Sequence, residues 1–179
     1  MNVLVLGGAA SGKSAFAEQL ACARAEQSGA PLVYVATLDP ASGGDTRTRI
    51  AKHRATRAGK GFATIEWHDT ERIPAVPDNA VALVEDGGNL TANFLYPPGK
   101  PPAPCAEPAA ADAVTEKLRA LAARCADCIV VSNEISLGGD IPAPSRRYAS
   151  VLAAVNRQWA AACDAVYAVV AGIALPLKP

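Results

Sequence analysis

Eight residues near the start of the chain, Gly7-Gly8-Ala9-Ala10-Ser11-Gly12-Lys13-Ser14, have the types and spacing of a phosphate cradle. Gly7 and Gly12 bracket four residues and are followed by a lysine and a hydroxyl, which is the Walker A pattern. Glycines let the backbone curl until successive N–H groups face inward, where they suit phosphate oxygens. A helix beginning at the lysine adds the partial positive charge of its N-terminus. Lys13 can then reach the β- and γ-phosphates of a nucleotide, and the Ser14 hydroxyl is the expected ligand of Mg²⁺. The competing reading, a fortuitous glycine turn, fits the context poorly. A buried-strand pattern, Val3 to Leu6, precedes the motif, and a helical pattern follows it.

Such a site needs an acid at the end of another strand. Val81-Ala82-Leu83-Val84 is apolar throughout and runs into Glu85-Asp86. Either carboxylate can hold Mg²⁺, with Glu85 the first choice and Asp86 the second; the alternative is a solvated strand end.

A third feature is a basic segment around one of two histidines. Arg47, Arg49, Lys52, Arg54, Arg57 and Lys60 surround His53, with no acid between Thr46 and Ile65. Clustered cations suit a polyanion, and they disfavour imidazolium, keeping His53 neutral and nucleophilic near neutral pH. From spacing alone a solvated basic helix with an incidental histidine is the stronger reading, since charge runs usually face water. His68 has no comparable setting.

The elements that must position these groups alternate along the chain. Strands are expected at Val3–Leu6, Leu32–Ala36, Phe62–Trp67, Val81–Val84, Ile129–Val131 and Val166–Val170. Between them, Lys13 to Ser28 reads as a helix with Phe16, Leu20 and Ala23 on one face and Gly29 as its stop. Further helices are expected over Thr46–Arg57, over a stretch marked by Val114, Leu118, Leu121 and Cys125, and over one marked by Tyr148, Val151, Leu152, Val155, Trp159 and Ala162. Wholly apolar strands separated by helices predict an α/β fold, a largely parallel sheet covered on both faces. The segment 97–108 of the proline-rich stretch Tyr96–Pro108 is expected to be a surface loop, because six prolines there oppose helix and central strand.

A length of 179 residues fits one domain spanning 1–179. Lys+Arg and Asp+Glu both number 17, so net charge draws the chain toward neither nucleic acid nor membrane. No apolar run is long enough for a membrane span, and Met1 to Leu6 lacks the basic lead of a signal peptide. Five cysteines without framework spacing point to a reducing cytoplasm, and Cys125-Ala126-Asp127-Cys128 lacks the partners of a zinc site; Cys125 reads as a core-facing residue. Asn133-Glu134, after a strand, lies at the edge where open α/β sheets bind ligands; a role near substrate or Mg²⁺ and a structural loop carboxylate are equally open there. Arg146-Arg147 is expected to face water rather than phosphate.

Taken together, these motifs resemble the bifunctional adenosylcobinamide kinase/adenosylcobinamide-phosphate guanylyltransferase family of cobalamin biosynthesis. Beyond the cradle, the likeness is carried by Tyr34-Val35-Ala36-Thr37, Arg49-Ile50-Ala51-Lys52-His53, Thr64-Ile65-Glu66, Thr91-Ala92-Asn93, Val131-Ser132-Asn133-Glu134-Ile135 and Ala154-Val155-Asn156-Arg157, and it runs to Val169–Ile173. Phe62 replaces a tryptophan common in the family, and Asp86-Gly87-Gly88-Asn89 departs from its usual Cys- and Thr-containing stretch.

The resemblance implies a P-loop NTPase fold in which one nucleotide site serves two reactions. A hydroxyl of adenosylcobinamide is phosphorylated with ATP or GTP. GMP is then passed from GTP to adenosylcobinamide phosphate through a guanylyl-histidine, for which His53 stands in the matching position. It also implies nucleotide contacts at Gly7 to Ser14, at Ala36, Thr37 and Leu38, at Arg54, Ala55, Thr56 and Arg57, and at Glu66 and Glu85. A homo-oligomer follows too, trimeric in the family. The rivals are a P-loop small-molecule kinase without guanylyl transfer, and a nucleotide-dependent switch or scaffold; the second lacks an Asn-Lys-x-Asp guanine motif.

Overall fold

The computed structural model describes residues 1–40, 46–135 and 142–178; the side chains of Arg47, Arg49, Lys52, His53, Arg54 and Thr56 lie outside the description. In chain order the elements are β1 (Asn2–Gly7), α1 (Lys13–Ser28), β2 (Leu32–Ala36), α2 (Thr46–Arg57), β3 (Ala63–Glu66), β4 (Ala80–Glu85), α3 (Gly87–Leu95), α4 (Glu107–Ala122), β5 (Cys125–Asn133), α5 (Ala143–Ala162), β6 (Ala165–Val170) and β7 (Ile173–Lys178). Among the described residues the strands form one sheet in the order β3-β2-β4-β5-β1-β6-β7, parallel except for β7.

This order puts β5 between β1, which feeds the cradle, and β4, which ends in Glu85. Both strands therefore deliver their C-terminal ends to the same edge of the sheet. Their interiors explain why they are central. Val81, Ala82, Leu83 and Val84 are wholly buried, as are Val5, Ile129 and Val131. Each such valine or leucine contributes roughly 1.5–3 kcal/mol on burial.

α1 packs on one face, where its alanines Ala17, Ala21 and Ala25 lie against Val3, Val5, Leu83 and Ile129. Their i, i+4 spacing makes a narrow contact that brings the helix close to the sheet. This corrects the expected face: Phe16 and Leu20 are half-buried on its flank, and Ala23 is exposed. Gly29 ends α1 with φ 66°, as expected. On the other face α3, α4 and α5 share a core with Val84, Val130, Leu118, Leu121, Val155 and Trp159.

Several expectations need correction. The proline-rich loop stops at Ala106, because α4 begins at Glu107 with Pro108 in its first turn, where a missing N–H costs nothing. Cys125 opens β5 rather than closing a helix, and its thiol donates to the Leu121 carbonyl at 3.3 Å. Arg147 is half-buried and donates to the carbonyls of Ala103 and Cys105, both at 2.8 Å, pinning the proline-rich loop onto α5. α3 was not expected, since Gly87 and Gly88 depress helix propensity; Asp86 compensates by accepting from the Asn89 N–H at 2.6 Å as N-cap. One more strand follows β6. Ala171 and Gly172, with φ 51° and 80°, make a tight two-residue hairpin into β7.

Candidate active site

The cradle is shaped by close approaches that leave no room for side chains. A Cβ on Gly7 would lie 2.4 Å from Ser11 Oγ and 2.7 Å from the Val169 carbonyl. Gly12 adopts φ 93° and Ala10 φ 56°, which turn the loop into the helix. The loop is held from outside by the hairpin, whose Gly172 N–H donates to the Ser11 carbonyl at 2.8 Å. Within it, the Ser11 N–H donates to the Gly8 carbonyl at 3.3 Å, while Ala9 is exposed at its tip. No side chain caps α1 at Gly12, and the first turn holds no acid. Its N–H groups are thus kept for an anion.

Two candidate site side chains emerge from this turn. Lys13 is buried, and its ammonium donates to the Gly8 carbonyl at 3.1 Å. Ser14 Oγ donates to Glu85 Oε1 at 2.6 Å. Glu85 Oε2 is buried and has no hydrogen-bond partner among the described residues. Burial is the largest influence on this carboxyl and lifts it to about 7, against the pull of Ser14 and Lys13 and with a push from Asp86.

Strand geometry gives Glu85 and Asp86 different surroundings. Glu85 is the last residue of β4 and reaches Ser14, whereas Asp86 caps α3. Asp86 is further tied to β2: its N–H donates to Thr37 Oγ1 at 2.6 Å, and that hydroxyl donates to the Asp86 carbonyl at 2.9 Å. Asn93 Nδ2 donates to the Thr37 carbonyl at 2.7 Å. Thr37 thereby joins β2 to β4 and α3.

Beside Glu85 a pocket opens between the ends of β2, β3 and β4 and the helix α2, lined by Ala36, Leu38, Arg57, Glu66, Glu85 and Asn89. The Arg57 guanidinium is buried, stacked 3.4 Å above the Tyr34 ring centre, and its Nη1 lacks a partner among the described residues. Thr64 also lines this pocket, and Ala55 is exposed on α2. The side chains of His53, Arg54 and Thr56 lie outside the described residues; the backbone of α2 carries them. The fold thus gathers Gly7–Ser14, Ala36, Leu38, Arg57, Glu66 and Glu85 at one edge.

A polar chain missed in the sequence crosses this edge. Asn133 Nδ2 donates to Asp86 Oδ2 at 3.3 Å, Asn156 Nδ2 to the Asn133 carbonyl at 3.1 Å, and Ser132 Oγ to Asn156 Oδ1 at 2.7 Å. Asparagines at a strand end and within an amphipathic helix were the available signal. Their meeting depends on α5 packing over β5.

The family model for cobinamide kinase / cobinamide phosphate guanyltransferase matches residues 3–177. The bifunctional adenosylcobalamin biosynthesis protein CobU of Escherichia coli (strain K12) is 32% identical over 191 residues, spanning 99% of this chain and 100% of that protein. The bifunctional adenosylcobalamin biosynthesis protein CobP of Pseudomonas aeruginosa is 34% identical over 183 residues, spanning 99% of this chain and 98% of that protein. Among solved structures, a KaiC-like protein from Pyrococcus horikoshii is similar with a TM-score of 0.48 and 18% identity, over 93% of this chain and 69% of that one. On the full-length sequence relatives and the family match, the chain belongs to the cobinamide kinase / cobinamide phosphate guanyltransferase family.

Proposed function

We propose that this protein phosphorylates adenosylcobinamide with ATP or GTP and then transfers GMP from GTP to adenosylcobinamide phosphate, giving adenosylcobinamide-GDP. The observation that carries the reading is the placement of Lys13, Ser14 and Glu85 around one cradle, 2.6 Å separating the serine and the acid. Family membership supports the two-step chemistry.

In the kinase step the cradle amides and Lys13 hold the triphosphate and offset the charge that develops on the transferring γ-phosphoryl group. The acceptor hydroxyl loses its proton as its oxygen bonds to the γ-phosphorus, and the nucleoside diphosphate leaves. Ser14 Oγ and Glu85 are oxygen donors suited to Mg²⁺, and Glu85 Oε2, buried without a partner among the described residues, fits such an ion. When bound, Mg²⁺ would neutralise phosphate charge. Glu85 must give up its proton before it binds the cation.

In the transfer step an imidazole nitrogen of His53 attacks the α-phosphorus of GTP. A P–N bond forms as the α–β bridging P–O bond breaks, and pyrophosphate leaves. An oxygen of the acceptor phosphate then attacks the same phosphorus, and the P–N bond breaks to return the imidazole. Two modest barriers replace one large one. The remaining basic side chains of α2, with Arg57, Glu66 and the Ala36–Leu38 segment, hold the rest of the nucleotide. The protein works as a cytoplasmic homo-oligomer, a trimer as its family resemblance implies; among the described residues no helix is long and apolar enough to cross a membrane.

The test is product analysis after incubation with cobinamide, Mg²⁺ and GTP. Cobinamide phosphate should appear first and the GDP derivative after it. Nucleotide turnover with no corrinoid product would overturn the assignment.

A further inference from the structure

On the face of the sheet opposite α1, a groove of about 610 Å³ runs alongside α5 and the inner strands toward β7. Its α5 wall is made by residues spaced three and four apart, among them Ala149, Ala153, Asn156, Arg157 and Ala160. One face of the helix therefore presents alanines where larger residues would close the gap. The floor is apolar, from Leu6, Leu152 and Val166, and Leu177 of β7 borders it while 63% exposed.

The polar groups gather at one end. There the groove meets Asn133 and Glu134, the residues that follow β5. Asn133 is the register partner of Gly7, and the Glu134 N–H donates to the Gly7 carbonyl at 3.3 Å. The groove and the phosphate cradle thus share a wall, Leu6-Gly7 beside Asn133-Glu134. Asn133 also bonds to Asp86, the neighbour of Glu85. Arg157 lines this same groove, is exposed, and makes no ion pair among the described residues.

We infer that this groove is the acceptor site, taking an apolar-bodied molecule whose hydroxyl- or phosphate-bearing arm passes Asn133 toward the cradle and whose phosphate, once formed, is met by Arg157. The inference rests on the proposed function for the identity of the acceptor. The volume suits a small-molecule site with an apolar lining and a few convergent polar groups. The shared wall favours this occupant over a second copy of the chain: a protein surface would need no polar end at the nucleotide's edge.

The test uses the intact protein and cobinamide, with Ala153→Trp as the filling variant. Ala153 is exposed on the groove wall, so the ring enters the groove without entering the core. Equilibrium dialysis should show cobinamide binding weakened about tenfold or more, as expected when a shaped site is partly filled. GTP affinity and labelling of the protein by α-labelled GTP should match wild type, because neither needs the acceptor. As a second variant, Arg157→Gln should raise the KM for cobinamide phosphate about tenfold, the loss of one charge-assisted contact, and change that for cobinamide far less.

Unchanged cobinamide binding in Ala153→Trp would overturn the inference. So would a changed oligomeric state with unaltered KM, which would make the groove an interface between copies. If wild type binds cobinamide and Ala153→Trp does not, yet neither forms product, the acceptor site stands and the proposed function falls. If both proteins bind and turn over cobinamide alike, the proposed function stands and the groove falls.

Discussion

Ser14 Oγ donates a 2.6 Å hydrogen bond to Glu85 Oε1, joining residues 71 apart in sequence across the top of the sheet. The other carboxylate oxygen is buried and has no hydrogen-bond partner among the described residues, so one bond holds this acid and its second oxygen is left for another.

Removing that acid should change how stability depends on pH. Burial lifts the Glu85 carboxyl to about 7 from an ordinary 4.5, so between these values the folded chain keeps a proton that the unfolded chain releases. Stability from this group therefore falls as pH rises from about 4.5 to about 7. Glu85→Gln should flatten that decline and be more stable above pH 7, by up to about 3 kcal/mol. Urea melts of both proteins across this range check it; parallel pH profiles would refute the assignment. Nucleotide–Mg²⁺ affinity of wild type should rise over the same range, and the glutamine variant should lack that rise.

Lys13→Ala should abolish phosphoryl transfer with the fold retained. Among the described residues the ammonium donates to the Gly8 carbonyl, at 3.1 Å, a contact it can exchange for phosphate. Its loss should cost roughly 3–5 kcal/mol of transition-state stabilisation, the scale of other preorganised electrostatic donors. Steady-state kinetics with thermal melting would show it, and wild-type turnover would remove Lys13 from the mechanism.

GTP labelled in its α-phosphate should label the protein at His53. The bond should be acid-labile and base-stable, as a phosphoramidate is and a serine ester is not. His53→Ala should lose the label and guanylyl transfer while keeping much of the kinase step, which needs no covalent intermediate. Label retained in the variant, or mapped to His68, would assign the nucleophile elsewhere.

Two neighbouring glycines should respond differently to alanine. At Gly7 the added methyl would press on Ser11 Oγ and the Val169 carbonyl, whereas at Gly8 it would meet nothing within 4 Å. Gly7→Ala should cost about 1–3 kcal/mol of stability, the usual price of overpacking, and Gly8→Ala little. Chemical denaturation distinguishes them; equal losses would mean the loop relaxes freely.

Dialysis against EDTA should silence both reactions, and Mg²⁺ should restore them. Ser14 and Glu85 offer hard oxygen donors and neither thiolate nor imidazole. Restoration by Zn²⁺ alone would point to a different metal site.

What the amino-acid order determined by itself is local. Gly7 to Ser14 identify a cradle because each residue type there answers a nearby backbone need, and the apolar runs around Val5, Val35, Leu83, Val130 and Val169 mark strands because burial on both faces leaves no alternation. Tertiary structure decided what depends on distance. Glu85 rather than Asp86 meets Ser14 because β4 and β1 run parallel on either side of β5 and so end at the same edge of the sheet, while Asp86 turns away into α3. Asp86 becomes a cap because a helix with two leading glycines forms only against α4, α5 and the sheet. Asn133 and Asn156 form a polar chain only where α5 lies on β5. The groove beside α5 was invisible in sequence, since alanines on a helix spell a close contact and an empty wall alike. Which of the two they make depends on what stands opposite, and no local pattern encodes that.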